Sequence, residues 1–228
     1  MGILNGFRKR NKSKSIPMYL YTEEELNEYE EHVRRCFGDY EEVFHEIVSP
    51  DIHLDVILIP PTEEAPYHKL ITMGAGAYRM NVPQELSGYN LNYAEYVLYL
   101  PADWDVKSGD PLNYWPIGML KKIARLPIDC DTWLGYGHTI HGNADAAPLA
   151  ANTELNSFIL LSGVSLEGEM CDFKLSSGKF IRFYELMALY QEELDFKMAN
   201  DTQALLDLLP DEEFPPIVRP DRKNYCTK

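Results

Sequence analysis

Apolar residues recur along this chain with a period of two in several stretches, as expected for strands. In the stretch 93–100, Ala94, Tyr96 and Leu98 fall on one side of an extended chain, because side chains alternate between faces. Residues 157–161 form a continuous apolar run, typical of a strand covered on both faces. These patterns predict strands at 42–48, 52–59, 68–73, 93–100, 135–140, 157–161, 169–175 and 179–189.

A capping box predicts the first helix. Thr22 precedes Glu25 by three residues, so each side chain is placed to bond the other residue's backbone N–H. The helix is expected over 23–37. Two closing helices are expected at 191–199 and 202–209, with Asp201 as the N-cap of the second.

The stretch 114–140 combines a short helix with an aromatic turn. Asn113 is a suitable N-cap, and Pro116 suits the first helical turn, where its missing N–H costs nothing. Pro127 is expected to end this helix near Leu126, since proline clashes with the preceding turn.

Together these elements predict one α+β domain at 21–212, with a mixed, mostly antiparallel sheet covered by helices. We find neither an internal repeat nor a low-complexity linker that would divide it. Residues 1–20 are predicted to be a disordered basic leader, and residues 213–228 an extended C-terminal tail.

The charge of the chain is strongly negative. The net charge is −15, but five of the 21 basic residues lie in the first 14 positions, where there is no acid. Positions 15–228 therefore carry 16 basic and 36 acidic residues, a net charge of −20. Such a surface repels nucleic acid and attracts basic partners, although acidity also serves solubility alone.

Targeting signals are not evident. The apolar runs are all far shorter than the roughly 18 residues that a membrane-spanning helix needs, and the basic N-terminus lacks the apolar core of a secretion signal. The four cysteines are scattered without a C-x-x-C pair, which favours reduced thiols. We therefore expect a cytoplasmic protein that does not bind membranes.

His45, His53 and Asp55 are the best candidates for chemistry. If 42–48 and 52–59 form a hairpin through Ser49-Pro50-Asp51, His45 lies opposite Asp55, and all three side chains share one face. This set is a weak candidate for a metal site, and a solvated cross-strand polar pair is the simpler interpretation. We expect no catalytic residue and no cofactor. The Gly74-Ala75-Gly76 stretch resembles the start of a dinucleotide-binding motif, but Arg79 stands in the place of the third glycine, so we reject a nucleotide site here.

Aromatic residues are the stronger sign of binding. The chain has 15 tyrosines, and Tyr and Trp supply large contact areas in protein interfaces. Those near the two glycine-rich turns are candidates for contact with a partner. We select Tyr78, Trp133, Tyr136 and His138.

Five motifs occur in a characteristic order: GAGAYRMN, NYWPIGMLKKIAR, DTWLGYGHTI, FILLSG and FYELMALYQEELDFKMANDTQALLDLLP. They resemble the suppressor of fused family over about residues 23–212, specifically its N-terminal domain and its stand-alone bacterial members. The resemblance implies a mixed α/β fold and a protein-binding role without catalysis. Animal members of the family clamp an extended segment of a transcription factor between two domains, as an added strand. Many short bacterial members resemble immunity proteins against secreted toxins.

The chain departs from the animal pattern in two respects. It ends where a second domain would begin, and Leu126 and Gly137 occupy positions where the animal domain has a contact tyrosine and aspartate. The resemblance therefore favours an immunity protein, or antitoxin, that binds a basic toxin domain. The alternatives are a regulatory protein that binds an internal partner by strand addition, and a metal-dependent hydrolase that uses the His45 group. The sequence leaves the oligomeric state open.

Overall fold

The fold has three layers, with helices on both faces of one central sheet. The computed structural model describes residues 18–165 and 168–227. Within that part of the chain the sheet has eight strands, ordered β1-β2-β3-β4-β8-β6-β5, with β7 paired to β8. The strands are β1 (Glu42–Phe44), β2 (Asp55–Ile59), β3 (Tyr67–Met73), β4 (Tyr93–Pro101), β5 (Thr139–His141), β6 (Ser157–Ser162), β7 (Phe173–Lys174) and β8 (Phe180–Leu189).

The predicted fold class is confirmed. All strand pairs are antiparallel except β4 and β8, whose parallel pairing joins the two halves of the sheet. The helices are α1 (Glu23–Phe37), α2 (Pro111–Asp129), α3 (Gln191–Ala199) and α4 (Thr202–Leu206), and short 3-10 helices span Ala75–Ala77, Gln84–Tyr89 and Asp211–Glu213. None of the described helices is both long and apolar enough to cross a membrane.

Each face of the sheet has its own hydrophobic cluster, because alternate residues of a strand point to opposite sides. On one face α2 packs through Ile117, Leu120 and Ile123 against side chains such as Leu98. On the other face, α1 covers one half of the sheet. Leu205 of α4 packs on the other half of the sheet, against side chains of β6 and β8.

The predicted caps of α1 and α4 are confirmed. Thr22 Oγ1 accepts from Glu25 N, and Glu25 Oε2 accepts from Thr22 N, both at 3.1 Å. Asp201 Oδ1 accepts from Ala204 N at 2.8 Å. Both caps satisfy N–H groups that the first helical turn leaves unpaired.

The prediction for α2 is wrong at both ends. Its N-cap is Asp110, whose Oδ1 accepts from Leu112 N at 2.9 Å, rather than Asn113. The helix continues through Pro127 to Asp129. Each internal proline removes one N–H, and at Pro116 the Leu112 carbonyl that loses its donor accepts from Asn152 Nδ2 at 3.3 Å.

Several strand and helix boundaries also differ from the prediction. The hairpin 42–48/52–59 keeps its predicted register, since Phe44 lies opposite Val56, but regular pairing is confined to β1 and β2. The strand expected at 135–140 is β5, Thr139–His141, because the preceding residues form a turn. The helix expected at 202–209 ends at Leu206.

The two ends of the chain differ in how much the structure describes. Of the predicted leader, residues 1–17 lie outside the described residues, and Tyr19 pairs with Ile52. The segment 213–227, predicted as an extended tail, lies against the domain. Val218 N donates to Tyr99 O at 2.9 Å, so this segment continues the pairing of β4 beyond β8.

A buried carboxyl group fixes the centre of the sheet. Glu95 in β4 is fully buried and accepts hydrogen bonds from Tyr21 OH (2.8 Å), Thr72 Oγ1 (2.5 Å), Gly74 N (3.0 Å) and Gly76 N (2.9 Å). These donors come from the segment before α1, from β3 and from the turn after β3. Burial raises the pKa of Glu95 from an ordinary 4.5 to about 7.

Stability is expected to fall as pH rises through the window set by Glu95. The unfolded carboxyl ionises near pH 4.5 and the folded one near 7, so the folded state binds more protons between those values. The Glu95 contribution amounts to a loss on the order of 3 kcal/mol across this window. Burial raises the pKa of Glu185 to about 7 as well, and this group adds a loss of the same sign.

Urea unfolding at a series of pH values measures this dependence. Glu95→Gln cannot ionise, and we expect it to flatten the slope between pH 4.5 and 7, whereas Glu63→Gln at an exposed position keeps the wild-type slope. Equal slopes for wild type and Glu95→Gln would contradict the assignment.

Gly74 is required by the turn after β3. Its φ is +122°, and a Cβ placed there would lie 1.9 Å from His53 O, which is backbone and cannot move aside. We expect Gly74→Ala to lower the free energy of unfolding by on the order of 3 kcal/mol. Gly88→Ala is the control, since a Cβ there meets nothing within 4 Å. A Gly74→Ala variant as stable as Gly88→Ala would show that the turn tolerates a side chain.

Candidate partner-binding surface

The aromatic turn after α2 is held in a fixed conformation by backbone hydrogen bonds. His138 N donates to Gly135 O at 3.0 Å, and Gly137 N donates to Leu160 O of β6 at 2.8 Å. The Trp133 ring lies against Gly135, where a Cβ would come within 2.6 Å of the ring. The glycine therefore allows the indole ring to lie directly on the chain.

Trp133 and Tyr136 line a cavity of about 250 Å³, which we call the aromatic groove. Tyr136 and Met170 stand at its edge and are about half exposed (49% and 52%). The groove is lined by Leu91, Trp133, Tyr136, Ser162, Met170, Asp172, Arg182, Phe183 and Tyr184. Two of the four predicted contact residues thus lie in one concave surface.

An ion pair forms part of the lining of the aromatic groove. Arg182 Nη1 of β8 donates to Asp172 Oδ2, and the other oxygen of Asp172 accepts from Phe183 N at 2.9 Å. Arg182 Nη2 also donates to Tyr89 O at 2.7 Å. The pair therefore joins β8 to the segments on either side of the groove and gives it polar groups of both signs.

The other two predicted contact residues lie beside the groove or apart from it. The His138 ring lies against Trp133, with 4.4 Å between ring centres, and supports the indole ring without lining the cavity. Burial lowers the pKa of His138, and the charge of Lys197 lowers it further. Tyr78 packs edge-on against Tyr19, with ring centres 5.0 Å apart, and is not among the residues that line the groove.

His45, His53 and Asp55 come together as their register predicts. Asp55 Oδ2 lies 2.8 Å from His45 Nδ1, and Asp55 Oδ1 lies 3.3 Å from His53 Nε2. Asp55 Oδ1 also accepts from Glu46 N at 2.8 Å, and Ser49 Oγ bonds His53 Nδ1 at 2.8 Å. Both carboxylate oxygens are thus engaged within the protein. Among the described residues, no group of three or more His, Cys, Asp or Glu side chains is placed to hold a metal ion.

A second exposed feature was missed by the sequence analysis. Ile47 and Val48, in the β1–β2 connection, are 98% and 77% exposed. The connection is held by Arg125 of α2, which donates to both Glu46 oxygens (2.6 and 2.7 Å) and to Asp51 Oδ1 (3.1 Å). Periodicity assigned these residues to a strand, and the sequence contains no signal for the distant Arg125 contact.

Comparison with known proteins identifies relatives along most of the chain. The family model described as "Suppressor of fused protein (SUFU)" matches residues 50–223. An uncharacterised protein from Ureaplasma parvum is 24% identical over 196 residues, which cover 85% of this chain and 92% of that protein.

Two solved structures share the fold. A suppressor of fused homologue from Neisseria gonorrhoeae has a TM-score of 0.59 at 13% identity, over 87% of this chain and 94% of its own. A chain of the Sufu–Fu complex has a TM-score of 0.63 at 12% identity, over 88% of this chain and 91% of its own. At such low identity these similarities concern the fold alone.

The ion pair at the groove yields a stability prediction. Arg182→Met would leave the Asp172 side chain, which is only 7% exposed, without its counter-ion, and we expect a loss of about 2 kcal/mol in urea unfolding. Lys107→Met breaks an exposed pair with Glu42 and should cost less than about 0.5 kcal/mol. If the two variants lose the same stability, the groove pair is no more than a surface contact.

Proposed function

This chain belongs to the suppressor of fused family, and from that premise we propose that it is a non-enzymatic binding module that neutralises a basic toxin domain. The observation that carries the proposal is the aromatic groove, a concave surface bordered by half-exposed aromatic and methionine side chains. Such side chains dominate the energetics of protein interfaces. A protein-interaction role agrees with the Sufu–Fu complex, one of whose chains has this fold.

The charge of the molecule supports a basic partner. Positions 15–228 carry a net charge of −20, and exposed acids, Asp131 and Glu169, stand next to Thr132–Trp133 and Met170 at the groove. An acidic surface attracts a basic protein and speeds its association, while the aromatic side chains slow its release. A nuclease toxin has a basic surface where it binds nucleic acid, so binding there would cover its active site.

The proposal is tested by co-expression of this protein with a basic toxin domain, if one is encoded beside it. Wild-type protein is expected to restore growth. Trp133→Ala and Tyr136→Ala together should weaken toxin binding by at least about tenfold, as the loss of central aromatic contacts does in other interfaces. Growth restored equally well by the double variant would remove the groove from the interface.

Tyr114→Ala supplies the matched control. Tyr114 lies on α2, outside the groove lining, and its exposure of 45% is close to the 49% of Tyr136. The Tyr114→Ala variant should protect cells from the toxin as well as the wild-type protein does. If no toxin is encoded nearby, or if such a toxin remains lethal in the presence of folded wild-type protein, the immunity role is wrong.

Strand addition to an internal partner is the second candidate function. The observation that favours it is β5, a three-residue strand at one end of the sheet order. An added strand there would bond the outer backbone groups of β5. A partner that is retained in the cell, rather than secreted, would favour this candidate over the toxin.

A metal-dependent hydrolase built on His45, His53 and Asp55 is the least supported candidate. Asp55 already bonds both histidines and Glu46 N. Metal analysis of the purified protein decides this point, since a hydrolase of this kind would hold about one metal ion per chain.

A further inference from the structure

A second cavity, larger than the aromatic groove, lies between the C-terminal end of α1, the sheet and the segment 214–217. Its volume is about 590 Å³, within the range of small-molecule binding sites. Phe37, Tyr67, Lys69, Tyr99, Glu185 and Phe214 are among its lining residues, and we call it the Lys69 cleft. Nothing in the proposed binding of a toxin uses this cleft.

Lys69 is the unusual residue in the Lys69 cleft. The side chain points from β3 into the interior and is only 4% exposed. Its Nζ donates to Phe37 O and lies 5.9 Å from the centre of the Tyr67 ring. Within 18–165 and 168–227, no carboxylate lies within 4.0 Å of this ammonium, in contrast to Lys107 and Lys179. Burial lowers the pKa of Lys69.

A buried ammonium group without a counter-ion is costly, because the interior solvates the charge poorly. Phe37 O satisfies only one of its three N–H donors within the described residues. The remaining N–H donors of Lys69 lie next to an open cleft, from which a ligand carboxylate can accept their hydrogen bonds.

The rest of the Lys69 cleft suits the body of an organic ligand. Tyr67 and Tyr99 pack edge-to-face with ring centres 5.2 Å apart, and Phe214 is 39% exposed on the opposite side. Glu185 receives hydrogen bonds on Oε1 from Tyr99 OH (2.8 Å) and Val164 N (3.0 Å). The cleft thus combines one cationic group with aromatic walls and two carboxyl groups, those of Glu64 and Glu185.

We propose that the Lys69 cleft binds a small organic acid, with its carboxylate on the Lys69 ammonium and its apolar body against the Tyr67 and Phe214 rings. An ammonium–carboxylate bond is charge-assisted and is strengthened by burial. The aromatic walls contribute by removing the apolar body from water. This inference does not depend on the proposed neutralisation of a toxin.

Calorimetric titration of the full chain with 3-phenylpropionate tests the proposal. The matched probe is 3-phenylpropan-1-ol, which keeps the ring and chain but lacks the carboxylate. We expect the acid to bind with a Kd in the millimolar range or tighter and the alcohol to bind at least about tenfold more weakly. Equal affinities, or no binding of the acid, would overturn the proposal.

Variants locate the site. Lys69→Met keeps an unbranched side chain that is one atom shorter and removes the charge, and it should weaken binding of the acid by at least about tenfold. Lys174→Met removes an exposed charge from β7 and should leave binding unchanged. Wild-type affinity in a folded Lys69→Met variant would overturn the assignment.

Two further measurements keep the result interpretable. If Lys69→Met does not fold, the ¹³Cε signal of Lys69 in the wild type should shift with the acid and not with the alcohol, and an unmoved signal refutes the site. The absence of a carboxylate partner for Lys69 was stated for 18–165 and 168–227 only, and Glu167 lies outside these residues. The Glu167→Gln variant is therefore titrated as well. Unchanged or tighter binding of the acid by this variant supports a free ligand at Lys69, and loss of binding contradicts it.

Discussion

The carboxyl group of Glu95 is the interaction on which the centre of this domain depends. It gathers four donors from three segments that are distant along the chain, and each of them would be costly to bury unpaired. Because β4 also contributes the parallel pairing with β8, the same strand joins the two halves of the sheet and anchors the turn at Gly74. The core is thus specified by a polar contact as well as by apolar burial.

Ion pairs play a corresponding role at the periphery. Arg125 holds the β1–β2 connection, and Arg182 holds Asp172 at the aromatic groove. In both cases an arginine bonds a carboxylate of another segment, 79 residues away for Arg125 and Glu46 and ten residues away for Arg182 and Asp172, with geometry that a flexible lysine would reproduce poorly. In this strongly acidic chain, Arg125 and Arg182 therefore hold separate segments of the fold together. Much of its excess negative charge is left on the outside, where it is available to a basic partner.

Local patterns in the sequence predict local structure well here. The capping box of Thr22 and Glu25 and the register that places His45 beside Asp55 are both confirmed, because each depends on residues close together in the chain. Pro127 misleads because a proline near the end of a helix removes few bonds, and tertiary packing keeps the last turn. The parallel pairing of β4 with β8 has no local signal at all.

The candidate site shows the same limit. Trp133 and Tyr136 were predicted because aromatic residues near glycines are conspicuous in a sequence, and they do line one groove. Arg182, Asp172 and Met170 were missed, since each lies in an ordinary segment until the sheet brings β8 beside the turn. Lys69 was missed because alternation places it in a strand without revealing that its partner is a backbone carbonyl.

Arg222 has a consequence for how the domain is made. Its guanidinium pairs with Glu193, which is fully buried, and donates to Ala188 O at the end of β8. Before Arg222 has been added to the chain, the Glu193 carboxylate has no counter-ion, and α3 lacks the contact that joins it to the end of β8. We therefore expect that, during synthesis, these contacts form only after residue 222 has left the ribosome. At ordinary elongation rates, of roughly 5–20 residues per second, the nascent chain spends about ten seconds or more incomplete, in reach of chaperones.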